Sequence, residues 1–498
     1  MKKIITTLLL LDTLLIANQT IAPKQYKANY KISYEKLDIT ENEEMGLVGL
    51  SMLFDLNEYW YAGVGLYGAV DGERGGFFTV GADGGVKLEL SENIQLQSGL
   101  FVGAGGGGAA PQGGGLMLRP YIEANYHVDT FSVGVGVSHI NFPNGNIEST
   151  QLYVNAAFPT IGGYLSGHHF TEDTTIHTET QAWDTNDIEV SFLAEHYIPS
   201  SGSLNTDGKT HTQPYSLAGI KFDIPLNENL YSFFQAAGAG GGDSDGYMGV
   251  FGGLGYRYRI GTLPLYLGAE GAIGAGGGGD VDTGGGLAYK ANVSLKAELS
   301  EHITLGASGG IIEAVDGSFS ATTYSATIGY QTTLANEIPE TETSMVQPLP
   351  WSIRILQKSY LDGKNLFQDS SKDDRVDLLG FALDYYMSEH FYITGQTYWA
   401  YKGDAGGYAE GIFGLGYQSD SYYGFSLYGE ALAGVGGGGG ISIGGGLFGS
   451  VGAGVRYDFG NDLEGFIGAA YERSKDGVFS TAVISFGMSY KCSLLEKL

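Results

Sequence analysis

The chain has 498 residues, with 26 Lys plus Arg against 55 Asp plus Glu, 82 Gly, 34 Tyr, one Cys and a net charge of −29. Glycine this abundant without a three-residue period excludes collagen, and aromatic residues throughout exclude a disordered linker. The acidic balance excludes a nucleic-acid surface, which needs basic stripes, and a single Cys excludes disulfides within the chain.

Residues 1–22 read as a signal peptide, because Lys2 and Lys3 precede an apolar run over residues 4–17. No Cys lies near its end, so a lipoprotein anchor is not expected. No later apolar stretch reaches the ~18–20 residues of a transmembrane helix. A secreted protein, a periplasmic protein or a membrane barrel remains.

The next segment has a period of two. It predicts eight strands near residues 26–37, 45–54, 59–69, 76–90, 94–104, 116–128, 131–140 and 151–158. Over 116–128, Leu116, Leu118, Ile122, Tyr126 and Val128 share one face, while Arg119, Glu123, Asn125 and His127 share the other. Strands this long match the ~9–11 residues that cross a bilayer at a tilt, not the globular mode of ~5–6. Tight turns at Asn57-Glu58, Ser91-Glu92-Asn93 and Asp129-Thr130 alternate with longer polar loops, the pattern of periplasmic and external ends. Aromatic residues near strand ends (Tyr59, Trp60 and Tyr61; Tyr385, Tyr386 and Phe391; Tyr398, Trp399 and Tyr401) predict girdles at the lipid–water interface.

One pattern occurs three times without a gap: G-(A/V)-G-G-G-G, four variable residues, then G-G-G-L. It spans 103–116, 274–287 and 434–447. Gly76-Phe77, Gly246-Tyr247 and Gly407-Tyr408 precede it at matching offsets, so the chain is a triplication. The organisation expected is a barrel repeat over 23–159, an inter-repeat segment at 160–187, a repeat over 188–331, a segment at 332–350, a repeat over 351–491 and a tail at 492–498. Eight strands per copy give an all-β antiparallel transmembrane barrel of about 24 strands. One large barrel is the simpler product of duplication. The alternative is three tandem eight-stranded barrels, which mixed-sign inward stripes would also suit.

Those stripes supply the candidate site residues. Arg119 and Glu123 are expected to face the lumen in the first copy, Lys290, Lys296 and Glu298 in the second, and Arg456 and Asp458 in the third. Glu270 and Glu430 occupy equivalent positions, where the first copy has Gly99. Each is expected to form a buried ion pair with an inward Arg or Lys, or to line a pore and set ion preference.

The glycine clusters are not phosphate loops, since neither G-K-(S/T) nor a βαβ context accompanies them. They read as hairpin tips that use positive φ and close strand approach. Asp243/Asp245 and Asp280/Asp282 could recruit divalent cations, although solvated acidic loops explain them as well. His168, His169 and His177 lack Cys or carboxylate partners at ligand spacing, so no metal site and no cofactor are expected.

Ser138-His139-Ile140-Asn141-Phe142-Pro143-Asn144-Gly145 resembles the His-containing segment of outer-membrane lipid A deacylases of the PagL type. Those are eight-stranded barrels whose site uses a His, a Ser two residues later and a Glu. The resemblance makes His139 the one catalytic candidate, but Asn141 stands where the family has its Ser. The remaining copies have no such His.

The expected protein is thus a bacterial outer-membrane β-barrel, serving as a passive pore for small solutes or as a structural membrane component. A lipid A-modifying enzyme and a surface-binding protein are the alternatives. Its partners would be outer-membrane lipids and the barrel assembly machinery.

Overall fold

The structure, a computed structural model, describes residues 24–40, 43–170, 176–177, 185–335, 345–362, 366–369, 372, 376–476 and 478–497. The predicted signal peptide lies outside these residues.

The first repeat forms β1 (Lys24–Thr40), β2 (Glu43–Asp55), β3 (Trp60–Asp71), β4 (Phe78–Ser91), β5 (Ile94–Gly106), β6 (Leu116–Val128), β7 (Phe131–Asn141) and β8 (Glu148–Ser166). A two-residue strand, β9 (Ile176–His177), follows. The second repeat forms β10 (Thr185–Pro199), β11 (Tyr215–Pro225), β12 (Leu230–Gly241), β13 (Met248–Arg259), β14 (Leu265–Gly277), β15 (Leu287–Glu298), β16 (Ile303–Ala314) and β17 (Ser320–Ala335). The third forms β18 (Met345–Tyr360), β19 (Asp377–Tyr386), β20 (Phe391–Lys402), β21 (Ala409–Gln418), β22 (Phe425–Gly437), β23 (Leu447–Gly460), β24 (Leu463–Ser474) and β25 (Ser480–Lys497).

The all-β antiparallel fold and the eight strands per repeat are as expected. The pairing selects the alternative closure. Within each repeat, neighbours pair in sequence order and the last strand returns to the first: β8 to β1, β17 to β10 and β25 to β18. The chain therefore folds as three eight-stranded barrels, joined by a few bridges into one hydrogen-bonded sheet. The long connections that could have been turns of one large barrel are links between closed ones. Strands also run past the expected repeat ends. β8 continues to Ser166, and residues 492–497, expected as a tail, extend β25 to Lys497.

Across the described barrel strands, polar and charged side chains turn to the buried face and large apolar ones cover the exposed face, the reverse of a water-soluble sheet. In β6, Arg119, Tyr121, Glu123 and Asn125 are buried, while Ile122, Tyr126 and Val128 are exposed. Across the β7–β8 ladder, Val135 pairs with Val154 and Val137 with Leu152, and all four are exposed. Inside, apolar residues gather toward the long-loop end of each barrel, as Leu37, Ile39, Met117, Phe142 and Ile147 do in the first.

The barrels pack head to tail around a pseudo-threefold axis. The third strand of each lies against the fifth strand of another: β3 on β14, β12 on β22, and β20 on β5. That is a heterologous contact whose rotation closes into a ring. The glycine clusters meet there, and their geometry explains their composition. Gly76, Gly107, Gly246, Gly278, Gly407 and Gly438 all have φ between 84° and 118°. A Cβ on Gly76 would lie 2.2 Å from Gly278 N, one on Gly246 2.7 Å from Gly438 N, and one on Gly407 2.8 Å from Gly107 N. Within each barrel, a Cβ on Gly107, Gly278 or Gly438 would lie 2.2, 2.4 or 2.5 Å from the carbonyl oxygen of Gly76, Gly246 or Gly407. Six glycines thus form one closed circuit of backbone contacts joining all three barrels. Beside it, Phe78, Ala104, Val250, Ala275 and Trp399, drawn from all three barrels, form an apolar cluster.

Candidate functional site

The barrel lumens hold most of the expected site residues, and long side chains on facing strands meet there. In the first barrel, Arg119 Nε lies 2.7 Å from Glu35, and Lys31 Nζ lies 2.5 Å from Glu123. Glu123 also accepts hydrogen bonds from Tyr153, Asn125 and Asn155. In the second barrel, Lys290 pairs with Glu195 at 2.5 Å, Lys296 pairs with Glu189, and Lys221 lies 2.5 Å from Glu270. In the third, Arg354 lies 2.7 Å from Asp384 and 3.0 Å from Glu430, while Lys358 bridges Glu410 and Glu472. Arg456 donates to Tyr386 and Tyr392 at 2.7 and 2.9 Å.

The two equivalent glutamates each have a cation: Glu270 has Lys221 and Glu430 has Arg354. Their counterpart Gly99 faces two stacked-in phenols, since a Cβ there would lie 2.2 Å from Tyr61 Oη and 2.8 Å from Tyr121 Oη. Two expected lumen residues sit at the mouths instead. Glu298, at the end of β15, accepts from Tyr266 at 3.2 Å, and half-exposed Asp458 pairs with Lys491 at 2.6 Å. Sequence reasoning missed the partners on the first strand of each repeat. Their signal was present as alternation: Lys31 and Glu35 against Tyr30, Ile32 and Tyr34 in β1, and Arg354 and Lys358 against Ile353 and Ile355 in β18.

Where a large barrel would enclose a water-filled channel, the described residues place buried, paired side chains inside these lumens. Eight strands leave an interior just wide enough for side chains to fill. A cavity in the second barrel is about 50 Å³ and is bounded by Glu189, Lys221, Asp223, Glu270 and Lys296. It has room for a few waters, each of which needs at least ~10–15 Å³.

The aromatic positions divide three ways. Tyr59, Trp60 and Phe391 are exposed on the outer surface. Tyr61, Tyr386 and Tyr398 point inward, and Trp399 sits in the inter-barrel cluster. Of these positions, Tyr59, Trp60 and Phe391 are placed for a lipid-facing girdle, and the four buried ones are not.

His139 faces outward on β7. Its Nδ1 lies 2.8 Å from Thr150 Oγ1, and its Nε2 lies 3.8 Å from the exposed carboxylate of Glu148. The adjacent Ser138 points the other way and donates to Glu35 in the lumen. The serine closest in sequence is thus on the wrong face for His139.

Asp280 accepts from Asn205 at 2.9 Å and from Thr206, while Asp282 accepts from Ser318 N at 3.1 Å. The Asp280 carboxylate ties down the loop between β10 and β11, and that of Asp282 ties down the connection between β16 and β17. Among the described residues no group of three or more His, Cys, Asp or Glu is placed to hold a metal ion.

His168 links two barrels. It follows β8, yet its Nε2 lies 3.1 Å from Trp351 O and 3.0 Å from Ser352 Oγ of β18, with its ring 4.2 Å from that of Tyr386. Burial pushes its imidazole down to about 3, and the cations of Lys491 and Arg456 act in the same direction. Folded His168 is therefore neutral where the unfolded chain, at ~6.5, begins to bind a proton. Its stabilising contribution is present above about pH 6.5 and is lost as pH falls toward 3. Unfolding midpoints at pH 7 and pH 4.5 should differ less in His168→Gln than in the parent chain.

No family model matches the chain, and no curated protein does. Among solved structures it is similar to Pseudomonas aeruginosa OccK11 (OpdR), at 13% identity and a TM-score of 0.23 over 94% of this chain and 96% of that one. A mutant ferric enterobactin receptor, PfeA, from the same organism aligns at 9% identity and 0.28 over 94% and 81%. Acinetobacter baumannii OccAB4 aligns at 11% and 0.23 over 95% and 99%. Overlaps of this size carry no argument about activity.

Proposed function

We propose that the protein is a structural component of the bacterial outer membrane: three side-chain-filled barrels fused into one lipid-embedded body. The observation that carries this is the reversal of burial. Polar and charged stripes close inward on ion pairs, while Val135, Leu152, Val154 and their counterparts on all three barrels stay exposed. A monomer in water rarely exposes contiguous apolar patches beyond a few hundred Å². Lipid acyl chains satisfy such a surface, and a closed barrel leaves them no unpaired backbone.

Short turns such as Asn57-Glu58 then face the periplasm and the glycine circuit faces outward. Outer-membrane lipids are the direct partner, and insertion rests on the barrel assembly machinery. The filled lumens favour a structural role over the passive pore. Planar-bilayer recording checks this. The folded protein should insert without a steady ohmic conductance, and a reproducible open level would establish the pore in its place.

A further inference from the structure

The last six described residues reach strands of both other barrels. Up to Tyr490, β25 is sandwiched between β18 and β24, whose pairing ends at Leu463↔Tyr490. Beyond that point β18 still covers one edge, to Val346↔Lys497, and the other edge is free of its own barrel. An open strand edge is a template for another strand.

Here the first barrel takes it. Cys492 pairs with Ser166, Ser493 with Leu165 and Leu494 with Tyr164. Two residues later, Leu334 of the second barrel pairs with Glu496. Side chains reinforce both contacts. Ser493 Oγ accepts from His169 N and donates to Gly167 O, each at 2.9 Å. Glu496 accepts from Thr332 of the second barrel and, at 2.6 Å, from Gln347 of the third. Cys492, Ser493, Leu495 and Glu496 are all buried.

We propose that residues 492–497 are a clasp that locks the three barrels together at the short-turn end. The segment belongs to the strand that closes the third barrel, so that closure and the capture of the other two barrels occur along one strand. The glycine circuit joins the barrels at the long-loop end and repeats in all three. Among the described residues the clasp is found once, on the strand that closes the third barrel.

The register supplies a direct test. Gly167 N donates to Lys491 O, which makes Cys492 and Ser166 a non-hydrogen-bonded antiparallel pair, with Cα atoms ~4.5 Å apart. Ser166→Cys should therefore form one intramolecular disulfide with Cys492 on treatment with diamide in the membrane, read as a reductant-sensitive shift in gel mobility. The oxidised form should unfold at a higher temperature than the reduced form. A chain ending at Lys491 should lose the single cooperative transition and unfold in more than one step. Failure of the two thiols to join, or an unchanged midpoint on oxidation, would overturn the clasp. So would a truncated chain that unfolds as the parent does. If the truncated chain does not insert, the disulfide variant, which retains every other residue, decides alone.

Discussion

Gly76→Val is expected to abolish the heat-resistant folded state, whereas Gly271→Ala leaves it unchanged. Both replace a glycine of the same chain with a larger residue, and the difference lies in surroundings. Gly76 has φ of +86°, a region that costs an L-residue ~1–2 kcal/mol and a β-branched one more. Its Cβ would also lie 2.2 Å from Gly278 N and 2.5 Å from Gly277 C, both of them backbone of the second barrel. Backbone cannot rotate away as a side chain can, so the two barrels must part. Gly271 meets nothing within 4 Å and has an ordinary φ. Alanine there lowers the entropy of the unfolded chain and is neutral or slightly stabilising.

The pseudo-threefold axis sharpens this expectation. Gly246→Val and Gly407→Val occupy the same corner of the circuit and should fail in the same way. Resistance to unfolding in detergent, read by gel mobility before and after heating, ranks the variants. If Gly76→Val behaves like Gly271→Ala, the barrels do not touch at their glycines.

Much of this was legible in the sequence. The three glycine clusters fixed the repeat, and alternation such as Arg119 and Glu123 against Ile122 and Tyr126 fixed strand and face. What glycine is for was half read. Hairpin tips need positive φ, but the contacts that exclude a Cβ at Gly76 come from a repeat some two hundred residues away, and no local pattern encodes them. Closure stayed open between one large barrel and three small ones for a related reason. A strand's pairing partner is chosen by register across the whole sheet, and β1 carries the same alternation whether it meets β8 or a strand of another repeat. The ion-pair partners Lys31, Glu35, Arg354 and Lys358 were visible as an inward stripe, yet only closure of each eight-strand set brings them opposite Glu123, Arg119, Glu430 and Glu410. The tail at 492–498 was misjudged because its pairing lies wholly with distant strands. Cys492 and Glu496 look like an unpatterned end until Ser166 and Leu334 are beside them.

Arg354→Met is expected to cost about 3–5 kcal/mol, the range for removing one partner of a buried ion pair. Arg354 is 2% exposed and lies against Asp384 at 2.7 Å, Glu430 at 3.0 Å and Thr394 Oγ1 at 2.9 Å. Methionine fills much of the space and removes the charge. Asp384 then has only Arg456, 3.7 Å away, and Glu430 keeps only its neutral donors Tyr392 and Gln396. The size of the loss distinguishes a packed lumen from a wet one. At 4 Å, two unit charges interact by ~1 kcal/mol in bulk water and ~4 kcal/mol at an effective dielectric of 20. A water-filled lumen would rehydrate the stranded carboxylates, and the penalty would shrink to about 1 kcal/mol or less. Replacing the whole set, Arg354→Met with Asp384→Leu and Glu430→Met, should recover most of the loss, because no stranded carboxylate stays buried and Arg456 keeps Glu464 at 3.8 Å. Urea unfolding of the three chains in lipid vesicles gives the comparison. A single-variant loss below about 1 kcal/mol would mean that the third barrel is hydrated, and with it the structural reading would yield to a conducting one.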